Sequence, residues 1–384
     1  MNLDLSWILL ALPTAFVLGW LASRLDLRQL RIENRRNPKA YFRGLNFLLN
    51  EQQDQAIDAF IEAVQSDPDT SELHFALGNL FRRRGEYERA VRVHEHLLSR
   101  GDLSVSDRQR AQHALALDFL KAGLLDRAED ALLKLEGTPF EDQARLARLS
   151  NYERARDWPQ AATIARQLAS TENGSFDSRL AHYLCEQSAA HLARGETAPA
   201  QALLQQAIAT APGAPRARIE LARLQMAQGQ PDVACATLEQ ALDTCPTATP
   251  LIAVPLAQAA QACGRTAPVL ARLKEVYAKA PALDVLEAIV KLESSAGSST
   301  STRDWYVYHL EREPSLVAAA KWIAGEKLEH EQFHPQVQRA LDHAVKPLTR
   351  YRCAACGFEA KQHFWQCPGC QAWDSYPARR VEEL

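Results

Sequence analysis

The segments YFRGLNFLLNEQQDQAIDAFIEAVQSDP (41–68) and HFALGNLFRRRGEYERAVRVHEHLL (74–98) align with Gly44 over Gly78 and Ala56 over Ala90, an offset of 34 residues. Self-similarity at a fixed interval constrains the fold more than any composition does, because each unit must bury its apolar face against the next. Small residues at fixed points let two helices of a unit cross closely, and Pro68 marks the end of the first unit, which also carries Phe60 and Ala63. Later units keep the phase. Ala128 recurs in GLLDRAEDALLKL after a four-residue insertion, and Ala161 follows in RDWPQAATIARQL. The next two units contribute Ala200, Leu204, Ala207 and Pro212, then Ala234, Leu238, Ala241 and Pro246. Val269, Leu273 and Pro281 end the run.

A 34-residue helix-turn-helix period is that of a tetratricopeptide repeat, and the spacing predicts about seven units over residues 37–281. Ala, Leu, Gln, Glu and Arg dominate and β-branched runs are scarce, as an all-α chain requires. The expected fold is a superhelical solenoid whose first helices line a concave groove that holds a partner protein. Groove positions would include Asn79, Arg82, Arg83, Arg110, His113, Lys121, Glu153, Arg154, Glu186, Glu220 and Arg223. Of these, Asn79, Arg82, Arg83, His113, Arg154 and Arg223 are the candidate partner-binding residues. The Lys/Asn pattern with which chaperone-binding tetratricopeptide proteins clamp a terminal carboxylate is absent, Phe75 standing in place of the lysine. After Pro281, residues 282–346 read as capping helices interrupted by a linker, ESSAGSSTST, at 293–302.

The N-terminal stretch LSWILLALPTAFVLGWLA (5–22) carries no charge. As a helix it reaches roughly 27 Å, enough for a hydrocarbon core. Trp7 and Trp20 suit its two interfaces, and Pro13 is tolerable inside a span. The leading MNLDLS holds an acid and no base, unlike a cleaved signal, so residues 1–23 are expected to stay as an anchor. A basic segment, 24–36, follows with Arg24, Arg28, Arg31, Arg35 and Arg36, which sets the rest of the chain on the cytoplasmic side. The net charge of −3 argues against nucleic acid as a partner.

HEQFH (330–334) matches the zinc-protease pattern of two histidines one turn apart with a glutamate base. Pro335 directly after His334 disfavours helix at that histidine, and neither Asp342 nor His343 is selected as a third ligand. No enzyme is expected.

YRCAACGFEAKQHFWQCPGC (351–370) pairs two Cys-x-x-Cys motifs separated by ten residues. Cys353, Cys356, Cys367 and Cys370 offer four thiolates in tetrahedral arrangement, suited to one zinc ion, with iron as the alternative. Four sulfurs leave no open position, so the metal is expected to be structural. Phe358, Phe364, Trp365 and Trp373 are too many for so small a module to bury, and some are expected to pack on the helices. The other cysteines, Cys185, Cys235, Cys245 and Cys263, are expected in the core.

An anchor, a tetratricopeptide array and a C-terminal YRCAACGF…WQCPGCQAW in this order resemble the lipopolysaccharide assembly protein B family of Gram-negative bacteria. CAACG and CPGC look like rubredoxin knuckles, with Gln371 where rubredoxins place glycine; residues 347–384 would be a rubredoxin-like domain. The resemblance implies an inner-membrane, single-pass adaptor that presents the committed-step deacetylase of lipid A synthesis to a membrane-anchored AAA+ protease. It further implies opposition by an inner-membrane lipopolysaccharide-sensing regulator. A homodimer stays open, as do a rubredoxin-like electron carrier and a generic protein-binding scaffold.

Overall fold

The computed structural model describes residues 15–17, 20, 39–66, 70–169, 176–296, 302–325 and 331–384. The expected anchor and basic segment lie outside these, apart from 15–17 and Trp20. Among the described residues no helix is long and apolar enough to cross a membrane. The chain divides into two compact units that meet between Ala155 and Arg156.

The first unit runs through α1 (Lys39–Leu49), α2 (Gln53–Ser66), α3 (Ser71–Arg84), α4 (Tyr87–Ser99), α5 (Val105–Ala122), α6 (Leu125–Leu133) and α7 (Glu141–Ala155). Helices α3 and α5 each stop at a glycine in the left-handed region, Gly85 and Gly123, where a side chain would strain the backbone. Ser104 starts α5 by accepting a hydrogen bond from the Asp107 amide at 3.0 Å. The repeat has a local physical basis. A Cβ on Gly44 would sit 2.9 Å from the Phe60 ring, and one on Gly78 would sit 2.5 Å from the His94 ring. Each glycine thus lets the first helix of its pair close on a large side chain of the second.

In the second pair that large side chain is polar. His94 and Asp118 are both fully buried. His94 Nδ1 donates to one Asp118 oxygen at 2.5 Å, and Arg82 donates to the other at 2.8 Å. Arg82 also donates to the Ala114 carbonyl. One carboxylate therefore ties α3, α4 and α5 together across two repeats.

The second unit holds α8 (Trp158–Ala169), α9 (Asp177–Ala193), α10 (Thr197–Thr210), α11 (Pro215–Ala227), α12 (Pro231–Thr244), α13 (Thr249–Ala262), α14 (Thr266–Lys279), α15 (Leu283–Ala296), α16 (Thr302–Leu310), α17 (Leu316–Ala324) and α18 (His334–Val345). Helices α9/α10, α11/α12 and α13/α14 pack as pairs. The first helices also touch one another, α9 to α11, α11 to α13 and α13 to α15, so they present one continuous face. An apolar core runs from Ile219 and Leu238 through Leu256 and Leu273 to Leu286, Tyr306 and Val317. Cys235 and Cys245 belong to that core and Cys263 packs against it, while Cys185 is buried in α9. Burial pushes the Cys235 thiol up to about 12 and raises that of Cys185, as inert core thiols require.

Two expectations need correction. The linker expected at 293–302 is helical through Ala296, because Glu293 is buried, paired with Lys274 at 2.5 Å, and accepts the indole N–H of Trp305. His334 is helical as well: it opens α18, with Pro335 in the first turn, where the missing proline N–H has no carbonyl to serve. The conclusion drawn from HEQFH is unchanged. Glu331–Phe333 form a separate 3-10 turn, and His334 Nε2 donates to the Ile323 carbonyl at 3.0 Å; His330 lies outside the described residues.

Removing the carboxylate that joins the repeats strands a buried imidazole and leaves Arg82 without its carboxylate partner. Asp118→Ala is expected to lower the unfolding free energy of the first unit by about 3 kcal/mol. Urea titration of the full chain in detergent checks this.

Candidate metal centre

The C-terminal module is almost all turn. Its two short strands, β1 (Tyr351–Arg352) and β2 (Glu359–Ala360), pair antiparallel, with Tyr351 opposite Ala360. Each cysteine pair sits on a turn closed in the same way. The Gly357 amide donates back to the Cys353 carbonyl at 2.9 Å, and the Gln371 amide to the Cys367 carbonyl at 2.8 Å. Both closing residues take left-handed backbone, φ 77° for Gly357 and φ 62° for Gln371. The turn dictates that conformation, and Gln371 meets it without glycine's freedom, at a cost of roughly 1 kcal/mol.

The ligand atoms of Cys353, Cys356, Cys367 and Cys370 all lie within 4.8 Å of one another. Cys353 Sγ is 3.8 Å from Cys370 Sγ, and Cys356 Sγ is 3.7 Å from Cys367 Sγ. Tetrahedral bonds of about 2.3 Å to zinc require sulfur–sulfur edges of about 3.8 Å, which these two pairs match. Cys353 and Cys367 are buried while Cys356 and Cys370 are exposed, which puts the site at the module surface.

The electrostatics of the thiols also fit a cation. Burial pushes the Cys353 thiol up, but its hydrogen bond with Ser375 and those from the amides of Cys356 and Ala355 outweigh it and bring it down to about 6. Cys367 is lowered as well, against its burial, by the amides of Cys370 and Gly369. At Cys356 an amide hydrogen bond favours the thiolate, yet burial and the three other sulfurs prevail and push it up to about 12. The surroundings thus favour the thiolates of Cys353 and Cys367 and oppose that of Cys356. A bound cation removes that conflict.

The module's own core is Tyr351, Cys353, Cys367 and Tyr376, with Leu251 of α13 packed against it. It is seated on the first-helix face of the second unit. Trp373 stacks on His182 of α9 at 4.8 Å and meets Trp158 and Tyr183 edge-on. Asp374 accepts from Ser178 at 2.7 Å and from His182 Nε2 at 2.8 Å. Arg380 forms a two-pronged pair with buried Asp284 of α15, at 2.6 and 2.9 Å, and covers the Tyr351 ring. The last turn of the chain caps two helices. Glu382 accepts from the Leu316 and Val317 amides that open α17, and Glu383 accepts from the Leu283 amide that opens α15.

Of the aromatics expected to reach the helices, Trp373 does so most fully. Trp365 reaches His182 at 6.0 Å, Phe364 stays with Tyr376, and Phe358 remains exposed. His182, Asp284, Glu382 and Glu383 carry no motif; their role depends on which surfaces meet, and no spacing could have announced it.

The candidate partner residues fall into two groups. Arg82 is committed to Asp118, Asn79 accepts from Arg82, and Arg154 donates to the Leu120 carbonyl, so these three hold repeats together. Glu186 and Glu220 likewise hold Arg216, and Arg110 pairs with Glu72. Arg83 and Arg223 are exposed and form no ion pair among the described residues. His113 is half-buried beside Phe140, and burial lowers its pKa.

Comparison with known proteins agrees with this organisation. Residues 351–376 match a family described as a rubredoxin metal binding domain, and residues 73–109 and 191–253 match tetratricopeptide repeats. A protein of Escherichia coli K12 named lipopolysaccharide assembly protein B is 29% identical over 99% of this chain and 100% of its own length. A protein of the same name from Haemophilus influenzae is 30% identical over 96% of both chains. A solved tetratricopeptide repeat protein of Parabacteroides merdae is 16% identical with a TM-score of 0.35, covering 67% of this chain and 98% of that one.

Cys370→Ser is expected to abolish stoichiometric metal binding, read by elemental analysis of the purified full chain. Gly357→Ala keeps all four sulfurs but puts a Cβ on left-handed backbone. It should cost about 1 kcal/mol, measured as easier loss of metal to a competing chelator.

Proposed function

This chain belongs to the lipopolysaccharide assembly protein B family, and from that premise we propose that it is a membrane-anchored adaptor that lowers lipopolysaccharide output. In this reading residues 1–23 span the inner membrane once and the repeats lie on the cytoplasmic side. The repeats hold the committed-step deacetylase of lipid A synthesis and bring it to a membrane-bound AAA+ protease, and an inner-membrane lipopolysaccharide-sensing regulator opposes the process.

The observation that carries the proposal is the seating of a four-sulfur module on the first-helix face of the repeats. All four ligand positions are filled by side chains, so bound zinc would supply structure and no open coordination site. Trp373 on His182, Asp374 on His182, Arg380 on Asp284 and Glu383 on the Leu283 amide each hold one folded surface against another. A rigid composite surface is what an adaptor needs. The free cations Arg83 and Arg223, together with His113, are the proposed partner contacts, whereas Arg82, Asn79 and Arg154 hold the helices of the first unit together.

The anchor gives the most direct test. A chain lacking residues 1–22 should retain its helices, since the described cores begin at α1, but should no longer shorten the deacetylase's half-life in cells. Turnover equal to that of the full chain would remove the membrane from the mechanism.

A further inference from the structure

Beside the seated module, the first-helix face of the second unit keeps a cleft of about 600 Å³. Its walls come from α11, α12, α13 and α15 of the repeats and from Tyr351, Lys361, Gln362, His363 and Arg380 of the module. Met226, Leu251 and Val254 supply partly exposed apolar surface. Pro255, inside α13, has no N–H to return to the Leu251 carbonyl four residues back, so the same wall carries a backbone acceptor without its helical donor.

The charge of the cleft is one-sided. Arg223 from α11 and Lys361 from the module line it, are exposed, and pair with no carboxylate among the described residues. The one acid on its wall, Asp284, is already taken by Arg380 and by the Tyr351 hydroxyl. It cannot neutralise the two cations. Two amides, Gln258 and Gln362, also line the cleft and make no hydrogen bond among the described residues. They can serve peptide N–H and C=O groups alike.

We propose that this cleft is a docking site for an extended segment of a partner protein carrying an acidic side chain beside apolar ones. The carboxylate would lie between Arg223 and Lys361, its apolar neighbours on Met226, Leu251 and Val254, and its backbone against the two glutamines and the Leu251 carbonyl. Because one cation comes from the repeats and the other from the cysteine module, the site exists only while the module is seated. The proposal rests on the adaptor reading and gives it a location and a ligand chemistry.

The test displays random peptides to the metal-loaded full chain in detergent, then measures binding of the enriched sequences by fluorescence anisotropy. Enriched peptides should contain Asp or Glu next to apolar residues. Their affinity should fall at least about tenfold for Arg223→Ala/Lys361→Ala, a variant that leaves helicity and metal content unchanged, and should not change for Lys291→Ala, an exposed cation outside the cleft. Peptides without an acidic bias, or peptides that bind the double variant equally well, would overturn the site. Deacetylase half-life in cells, read with the same variants, separates the two claims. Acid-dependent peptide binding, with a deacetylase half-life that is the same with and without the chain, keeps the cleft and removes the adaptor reading. Turnover that needs the chain, with no acid-dependent peptide binding, keeps the adaptor and removes the cleft.

Discussion

Four sulfurs lie within 4.8 Å of one another, close enough for one cation to bridge them, and the C-terminal module is organised around that cluster. Its own buried side chains are only Tyr351, Cys353, Cys367 and Tyr376, two of them ligands. So small a core cannot offset the conformational entropy of the loops around it. A bound metal would supply one part of the missing free energy, and the helices of the second unit supply another through Trp373, Asp374 and Arg380. The dependence runs both ways. Glu382 and Glu383 satisfy the opening amides of α17 and α15, so helices that cap the repeat core are themselves capped by the module's last turn.

A repeat array distributes its stability between neighbours, and the first unit shows how a degenerate repeat remains specific. Where the first pair buries Phe60 against Gly44, the second buries His94 against Gly78. The imidazole cannot be left unpaired on both nitrogens, and Asp118 from the following pair accepts from it while also holding Arg82. A polar substitution inside one unit has thus become a tie between units. It also explains why Arg82, read as a groove residue, faces inward: its charge is needed by a buried carboxylate.

What was legible in the sequence was whatever local chemistry fixes. The glycine–alanine phase announced the helix pairs, because close helix crossing tolerates few alternatives, and Cys-x-x-Cys spacing announced the knuckles. The seating of the module was not legible. His182 and Asp284 look like ordinary helix residues, and the terminal VEEL carries no signal, because their partners are about 60 to 190 residues away in the chain. The linker was misplaced for a similar reason: ESSA reads as flexible until Lys274 and Trp305 are seen to bury Glu293. Gln371 shows the opposite case, a departure from the glycine pattern that the turn absorbs without changing shape.

If the metal acts by holding a surface in place, its removal must be felt on the helices that surface touches. Hydrogen exchange on the full chain, with and without chelator, reads this directly. The account predicts that chelation removes protection from residues 350–376, from the opening turns of α15 and α17 and from α9 around His182, while α3 to α5 of the first unit are unchanged. Protection lost in the module alone, with the three helix sites as slow as before, would contradict the claim that metal, module and repeats form one surface.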